Sequence, residues 1–146
     1  MFRFAFQNIL EQRQAIEEKR QMELAEALKI LKEEKEKLFR LQAEKESMVA
    51  GFYNLSGKAV PGIMPALISE AIRLKREEEL AQEAVCRKWE EEVQTRRLAL
   101  IEASRQKKVM EKLRERKLAE YLEAMKVREI KELDEAAILR YEGERE

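Results

Sequence analysis

Hydrophobic residues recur at intervals of three and four along most of the chain. Before residue 56 they form a narrow stripe with a period of about 3.5 residues, and charged side chains occupy the remaining positions. This pattern is typical of a long helix that packs against a second helix along one side. The stripe consists of Phe6, Ile9 or Leu10, Ile16, Leu24, Ala27, Leu31, Leu38, Leu41, Met48, Phe52 and Leu55.

The same rhythm returns after residue 65. Strong helix formers fill nearly all exposed positions and no β-type alternation is present, so we predict an all-α protein. The second stripe is predicted at Leu67, Ala71, Leu74, Ala81, Val85, Leu98, Ile101, Val109 and Leu113. Charged residues interrupt both stripes, and we expect them to weaken the packing. They are Arg13, Arg20, Glu34 and Lys45 in the first stripe, and Lys88 and Glu92 in the second.

One segment, SGKAVPGIMP, interrupts the helical pattern and holds both prolines of the chain. Pro61-Gly62 suits the centre of a type II turn, and Pro65 suits the first turn of a following helix. We therefore predict two long helices in an antiparallel coiled-coil hairpin with unequal arms. The predicted limits are residues 1–146 for a single domain, about 3–55 for helix one, about 56–65 for the turn and about 66–142 for helix two.

The unequal arms predict an unpaired C-terminal segment. If the numbers of facing residues add up to roughly 121, helix two passes the start of helix one near Glu120. The remaining segment, YLEAMKVREIKELDEAAILRYEGERE, then has no partner in its own chain. Its apolar face would be covered by a second copy of the chain or by a different protein, unless the end is frayed. That face consists of Leu118, Leu122, Met125, Leu133 and Ala136, with Ile130 and Ala137 at its edge.

Composition and motifs argue against catalysis. The 30 basic and 30 acidic residues cancel and there is no His, so neither a nucleic-acid partner nor a histidine-based site is indicated. The stretch GFYNLSGKA imitates a phosphate-binding loop, but its glycine spacing is wrong and Ala59 replaces the hydroxyl that binds Mg²⁺. Cys86 lies in the Glu-rich stretch 77–92, which disfavours a reactive thiolate. We predict that the protein is not an enzyme and needs no cofactor or metal.

Two further features bear on location and partners. No signal peptide and no membrane span is recognised, so we expect a cytoplasmic protein. The Glu-rich stretch 77–92 is followed by a stretch rich in Arg and Lys, residues 96–117. These stretches are either solvated helix faces or surfaces that orient a partner. Trp89 is interpreted as an anchor, either in the contact between the helices, which we favour, or at an interface with a partner.

Both ends of the chain resemble one family. The opening FRFAFQNILEQRQAIEEKR, with alternating aromatics, an apolar pair and then Arg13, resembles the start of the flagellar export protein family FliJ. The close REIKELDEAAILRYE resembles the C-terminal segment of the same family, and residues 131–135 are its most recognisable part. Length, hairpin layout and a Trp early in the second helix also fit.

The resemblance implies a component of flagellar type III export that is similar to the central stalk subunit of rotary ATPases. Its implied partners are the hexameric export ATPase, the cytoplasmic domain of the export gate and export chaperones, which would hold it at the cytoplasmic side of the cell membrane. The alternative is a homodimeric coiled-coil scaffold or a prefoldin-like holdase. The residues implied at the ATPase ring are Phe4, Phe6, Leu10, Arg13, Leu118, Leu122, Met125, Ile130, Leu133 and Tyr141. Those implied at the export gate are Ala71, Ile72 and Leu74.

Overall fold

The protein consists of two long helices. The computed structural model describes residues 1–56 and 62–145, with helix α1 at Gln7–Ser56 and helix α2 at Ile63–Arg145. Within these described ranges there is no strand. The all-α class and the pairing of two long helices are therefore confirmed.

The helix ends follow from local backbone chemistry. The Phe4 carbonyl accepts a hydrogen bond from the Gln7 N–H at 3.2 Å, and the Phe6 carbonyl accepts one from the Leu10 N–H at 3.0 Å. This turn places the start of α1 at Gln7 rather than near residue 3. Pro65 lies in the first turn of α2, where a backbone N–H is not required. The predicted type II turn includes Pro61, which lies outside the described residues.

Residues 19–100 form one compact unit, called here the hairpin unit. Its core is a cluster of the buried residues Ala27, Leu31 and Val93, against which Leu24 and Trp89 pack. The predicted anchoring role of Trp89 is confirmed. The buried side chains are small or medium in size and come from both helices, so this unit has a thin, linear core.

Residues 1–18 and 101–146 form a second compact unit, called here the terminal unit. Ala103 is buried, and it is accompanied by the half-buried side chains of Leu10, Ile16, Met110 and Leu113. These residues again come from both helices. The terminal unit is thus also a two-helix packing, although much of α2 within it lies outside the paired part.

The side of each helix that faces the other, called here the seam, was predicted well for α1 but for α2 only at Ala71 and Leu113, which are half-buried. Most of the predicted α1 stripe is buried or half-buried, although Phe6 is 43 % exposed. In α2 the seam is displaced by one residue from most of the predicted stripe, which turns the helix by about 100°, and by two residues at Leu98 and Ile101. The predicted residues that are exposed are Leu67, Leu74, Ala81, Val85, Leu98, Ile101 and Val109. The apolar residues found in the seam instead include Ile68, Ile72, Cys86, Val93, Leu100, Ala103 and Met110.

Charged residues in the α1 seam are paired with polar residues of α2. The Lys45 ammonium pairs with the Glu79 carboxylate, which is only 8 % exposed. The Glu34 carboxylate accepts a hydrogen bond from the Gln82 amide at 2.5 Å, and Arg13 donates one to Gln106. Three of the four charged positions predicted in this stripe therefore have partners across the seam. The expectation that these residues only weaken the packing was incomplete.

The other three charged residues predicted in the stripes, Arg20, Lys88 and Glu92, form no such pair across the seam in the described part of the chain. Arg20 is half-buried and pairs with Glu23 of its own helix at 2.9 Å. Lys88 is exposed, so its placement in the seam was wrong, because the α2 seam is displaced by one residue. Glu92 is half-buried and accepts a hydrogen bond from the Arg96 guanidinium at 2.8 Å.

Further cross-helix contacts define the register within each unit. In the hairpin unit, Lys75 pairs with Glu44 at 2.5 Å, and Arg96 donates a hydrogen bond to the Glu23 carbonyl at 2.7 Å. In the terminal unit, Lys107 pairs with Glu17 at 3.2 Å. The residue numbers in these pairs add up to about 121, as an antiparallel hairpin requires. The predicted register is observed.

These contacts keep the seam groups charged. The hydrogen bond from Lys45 lowers the pKa of the Glu79 carboxyl, and hydrogen bonds from Lys107 and Ser104 lower that of Glu17. The hydrogen bond to Glu44 raises the pKa of Lys75 in the same way. Each of these shifts favours the charged form of the group, so a displaced register would leave charges without their partners.

Removing one member of the Lys45–Glu79 pair should cost more stability than removing both. The Lys45→Met variant leaves the Glu79 carboxylate enclosed without a counter-charge, whereas the Lys45→Met, Glu79→Met double variant replaces the pair by apolar contact. We expect the midpoint of urea unfolding, followed by circular dichroism, to fall in the single variant and to recover largely in the double variant. Arg73→Met, which opens an exposed pair with Glu70, serves as the control. Equal midpoints for Lys45→Met and Arg73→Met would contradict the role given to the seam pair.

Candidate interaction surfaces

An extended exposed apolar surface lies at the end of α2. Every residue from 122 to 145, called here the overhang, is exposed. Leu122, Ile130 and Leu133 are 52 %, 59 % and 69 % exposed. A helix that keeps large aliphatic side chains in contact with water is typical of a segment that is covered by a partner.

The overhang carries more apolar surface than the predicted stripe. Met125 and Leu133 of that stripe are exposed, and Leu118, which precedes the overhang, is half-buried. Val127 and Ile138 are also exposed and lie on the opposite side of the helix from the predicted stripe, and they were missed because only one face was considered. Leu139 is exposed too and lies on the face of Met125, two heptads further along. Apolar side chains on several faces suit a helix that is surrounded rather than one that lies on a flat surface.

The N-terminal arm, residues 1–6, packs beside α2 in the same unit. The rings of Phe2 and Tyr121 lie 5.5 Å apart, and those of Phe4 and Phe6 lie 5.8 Å apart. Phe4 is half-buried and Phe6 is partly exposed. A surface cavity of about 420 Å³ lies between the arm and the segment of α2 that contains Lys117. The arm thereby places an aromatic cluster next to the start of the overhang.

Three other residues predicted at the ATPase ring have different surroundings. Leu10 and Arg13 are half-buried in the seam, so they support the paired helices rather than offer a free surface. Tyr141 is 60 % exposed, and the guanidinium of Arg145 lies 5.3 Å from the centre of its ring. The predicted residues thus separate into exposed ones on the overhang, an aromatic cluster at the arm and two in the seam.

The residues predicted at the export gate lie early in α2. Ala71 and Ile72 are half-buried, whereas Leu74 is 48 % exposed. Beside them, the Arg73 guanidinium pairs with Glu70 and also with Glu77, at 2.6 Å for the latter. Among the three residues predicted at the export gate, Leu74 therefore has the most exposed apolar side chain.

One apolar surface on α1 was not predicted. Phe39 is 71 % exposed and Leu28 is 42 % exposed, and with Lys32 and Lys35 they line a surface groove of about 780 Å³. These residues follow one another at intervals of three and four. The same periodicity that identified the seam could therefore have found this second face, if it had been searched for residues outside the seam.

The candidate chemistry of Cys86 was assessed correctly. Its side chain is buried, and burial raises the pKa of the thiol, with a further contribution from the negative charges of Glu34 and Glu90.

Within residues 1–56 and 62–145, no group of three or more metal-ligating side chains is placed to hold an ion. Over the same part of the chain, neither helix offers a stretch long and apolar enough for a membrane span.

The structure is that of an antiparallel helical hairpin with an exposed apolar end. A family model described as "Flagellar FliJ protein" matches residues 2–146, nearly the whole chain. The chain therefore belongs to the FliJ family and is a component of flagellar protein export. Comparisons with curated proteins and with solved structures found no match.

Hydrogen exchange should distinguish the overhang from the paired part of the terminal unit. The amides of residues 122–145 belong to a helix without cross-helix packing, whereas residues 101–113 pack against α1. We therefore expect faster deuterium uptake in the overhang of the isolated protein, measured by mass spectrometry. Equal protection of both segments in a confirmed monomer would contradict an unpaired overhang.

Proposed function

We propose that the protein is a non-enzymatic, stalk-like component of flagellar type III export that inserts its terminal unit into the ring of the export ATPase. The observation that carries this proposal is the overhang, whose large aliphatic side chains are exposed on several faces. A ring encloses a helix from all sides, so it can cover such a surface. Membership of the FliJ family supplies the biological setting.

The energetics favour the overhang as the main source of affinity. Burying one large aliphatic side chain contributes about 1.5–3 kcal/mol before the costs of association. Leu122, Ile130 and Leu133 are all more than half exposed in the isolated chain and can make this contribution. The aromatic arm, anchored by Phe2 on Tyr121, adds a second apolar surface close by. Leu10 and Arg13 act indirectly, since they hold α1 against α2.

The gate contact is proposed on one face of α2. Leu67, Ala71 and Leu74 follow at intervals of four and three, so they lie on the same side of the helix. Leu67 and Leu74 are 57 % and 48 % exposed. We propose that this face, rather than Ile72 in the seam, contacts the cytoplasmic domain of the export gate. Together with the ATPase, this contact would hold the protein at the cytoplasmic side of the cell membrane, where it would also meet export chaperones.

A double substitution in the overhang tests the ATPase contact. Replacing both Leu122 and Leu133 with Glu puts two charges into the surface that the ring would bury, while helix propensity is preserved. We expect loss of co-sedimentation with the assembled export ATPase and loss of swimming, with little change in circular dichroism. The control is the Leu80→Glu, Leu98→Glu variant, because both leucines are 58 % exposed and lie outside the terminal unit.

Two results would contradict the proposal. One is a Leu122→Glu, Leu133→Glu variant that still binds the ATPase and supports swimming. The other is wild-type protein that sediments as a stable dimer at micromolar concentration, does not bind added ATPase and becomes monomeric when the overhang is substituted. The second result would favour a second copy of the chain as the overhang's partner, as in a homodimeric scaffold.

A further inference from the structure

A row of four cations runs along α2 in the terminal unit. Arg105, Lys108, Lys112 and Arg116 follow at intervals of three, four and four, and all are exposed. At 1.5 Å per residue the row is about 16 Å long. Ala103, a buried residue of the seam, lies about 140–180° around the helix from each cation of the row, so the row is on the side of α2 that faces away from α1.

The four charges are available to a partner. The neighbouring cations Lys107 and Lys117 are engaged, the first with Glu17 and Glu111 and the second with Glu120. In the part of the chain that the structure describes, none of the four row cations forms an ion pair. Their positive charge is therefore not neutralised by direct pairing, although Lys108 contributes a weaker electrostatic interaction that helps to lower the pKa of Glu17.

The row is narrow and partly apolar. Glu102 borders it on one side and Glu115 on the other, according to their positions around the helix. Glu102 accepts a hydrogen bond from Gln106 at 3.2 Å and is exposed. Val109 and Ile101, on the same side as the cations, are 65 % and 42 % exposed. A partner that fits must present negative charge in a line, with small apolar groups close to it.

We propose that this row docks an acidic helix of a partner protein. Carboxylates on one face of a helix, spaced by three and four residues, match the cations of the row along its length. A membrane surface or a nucleic-acid duplex spreads its anions over a wide area, and part of that area would meet the bordering carboxylates of Glu102 and Glu115. A single helix is narrow enough to avoid them. The inference does not depend on the ATPase contact of the overhang.

A designed peptide tests the docking directly. The probe is a fluorescein-labelled, alanine-rich helical peptide with four Glu residues at intervals of three, four and four and one Val on the same face. Binding to the full chain is followed by fluorescence anisotropy at low salt, about 50 mM, because exposed charges are screened at higher ionic strength. We expect saturable binding that weakens as salt is raised.

A matched pair of variants distinguishes the effect of the row on peptide binding from the effect of net charge. The row variant changes Arg105, Lys108, Lys112 and Arg116 to Gln. The control variant makes the same change at Lys19, Lys29, Arg87 and Arg97, four exposed cations that form no row. Both lose four positive charges. We expect the row variant to bind the peptide at least about tenfold more weakly than wild type, and the control variant to stay within about threefold.

Further probes test which kind of partner the row recognises. A peptide of the same composition with its Glu residues spread around the helix should bind at least several-fold more weakly. A row variant with Glu at all four positions should bind a Lys-bearing version of the peptide instead. Equal peptide binding by the row and control variants would overturn the inference. So would stronger, row-dependent binding to phosphatidylglycerol vesicles, since this would show that the row recognises a lipid surface. Neither outcome would affect the result expected for the Leu122 and Leu133 variant.

Discussion

The structure depends on the pairing of charged and polar groups across the seam. The buried apolar residues are few and small, with Ala27, Leu31 and Val93 as the only clustered core of the hairpin unit among the described residues. Such small apolar residues could pack together in more than one alignment of the two long helices. Contacts such as Lys45–Glu79 and Glu34–Gln82 are satisfied in one alignment only. They convert a loosely specified helical pair into one with a defined register.

The same kind of contact determines what the terminal unit exposes. The pairing of Glu17 with Lys107 and of Arg13 with Gln106 aligns the start of α1 with a point well before the end of α2. The arm then reaches Tyr121, and residues 122–145 beyond it are all exposed. The proposed interaction surface is therefore a direct consequence of register. A different alignment would cover part of the overhang or move the aromatic arm away from it.

The sequence was sufficient to predict the fold class, the register of the two helices and the overhang, because these depend on periodicity and on the position of a single break. It was insufficient for the side of α2 that faces α1. Leu67 and Leu74 looked like seam residues since they are apolar, whereas Lys75 and Glu79 were not included in the predicted stripe. The pairing of Lys75 with Glu44 and of Glu79 with Lys45 reverses this assignment. Such pairing depends on a second helix and cannot be recognised within one stripe.

The most direct test of this account is a distance measurement between two spin labels in the hairpin unit. Labels at Lys32 and Lys88, both exposed, lie on opposite helices, and Cys86 is replaced by Ala to avoid a third label. We expect one narrow distance distribution in otherwise unchanged protein. Changing Lys45, Glu79, Glu34 and Gln82 to Leu should add a second population, because a displacement by one heptad moves a helix by about 10 Å. An unchanged, single narrow distribution in that variant would contradict the claim that polar pairs set the register.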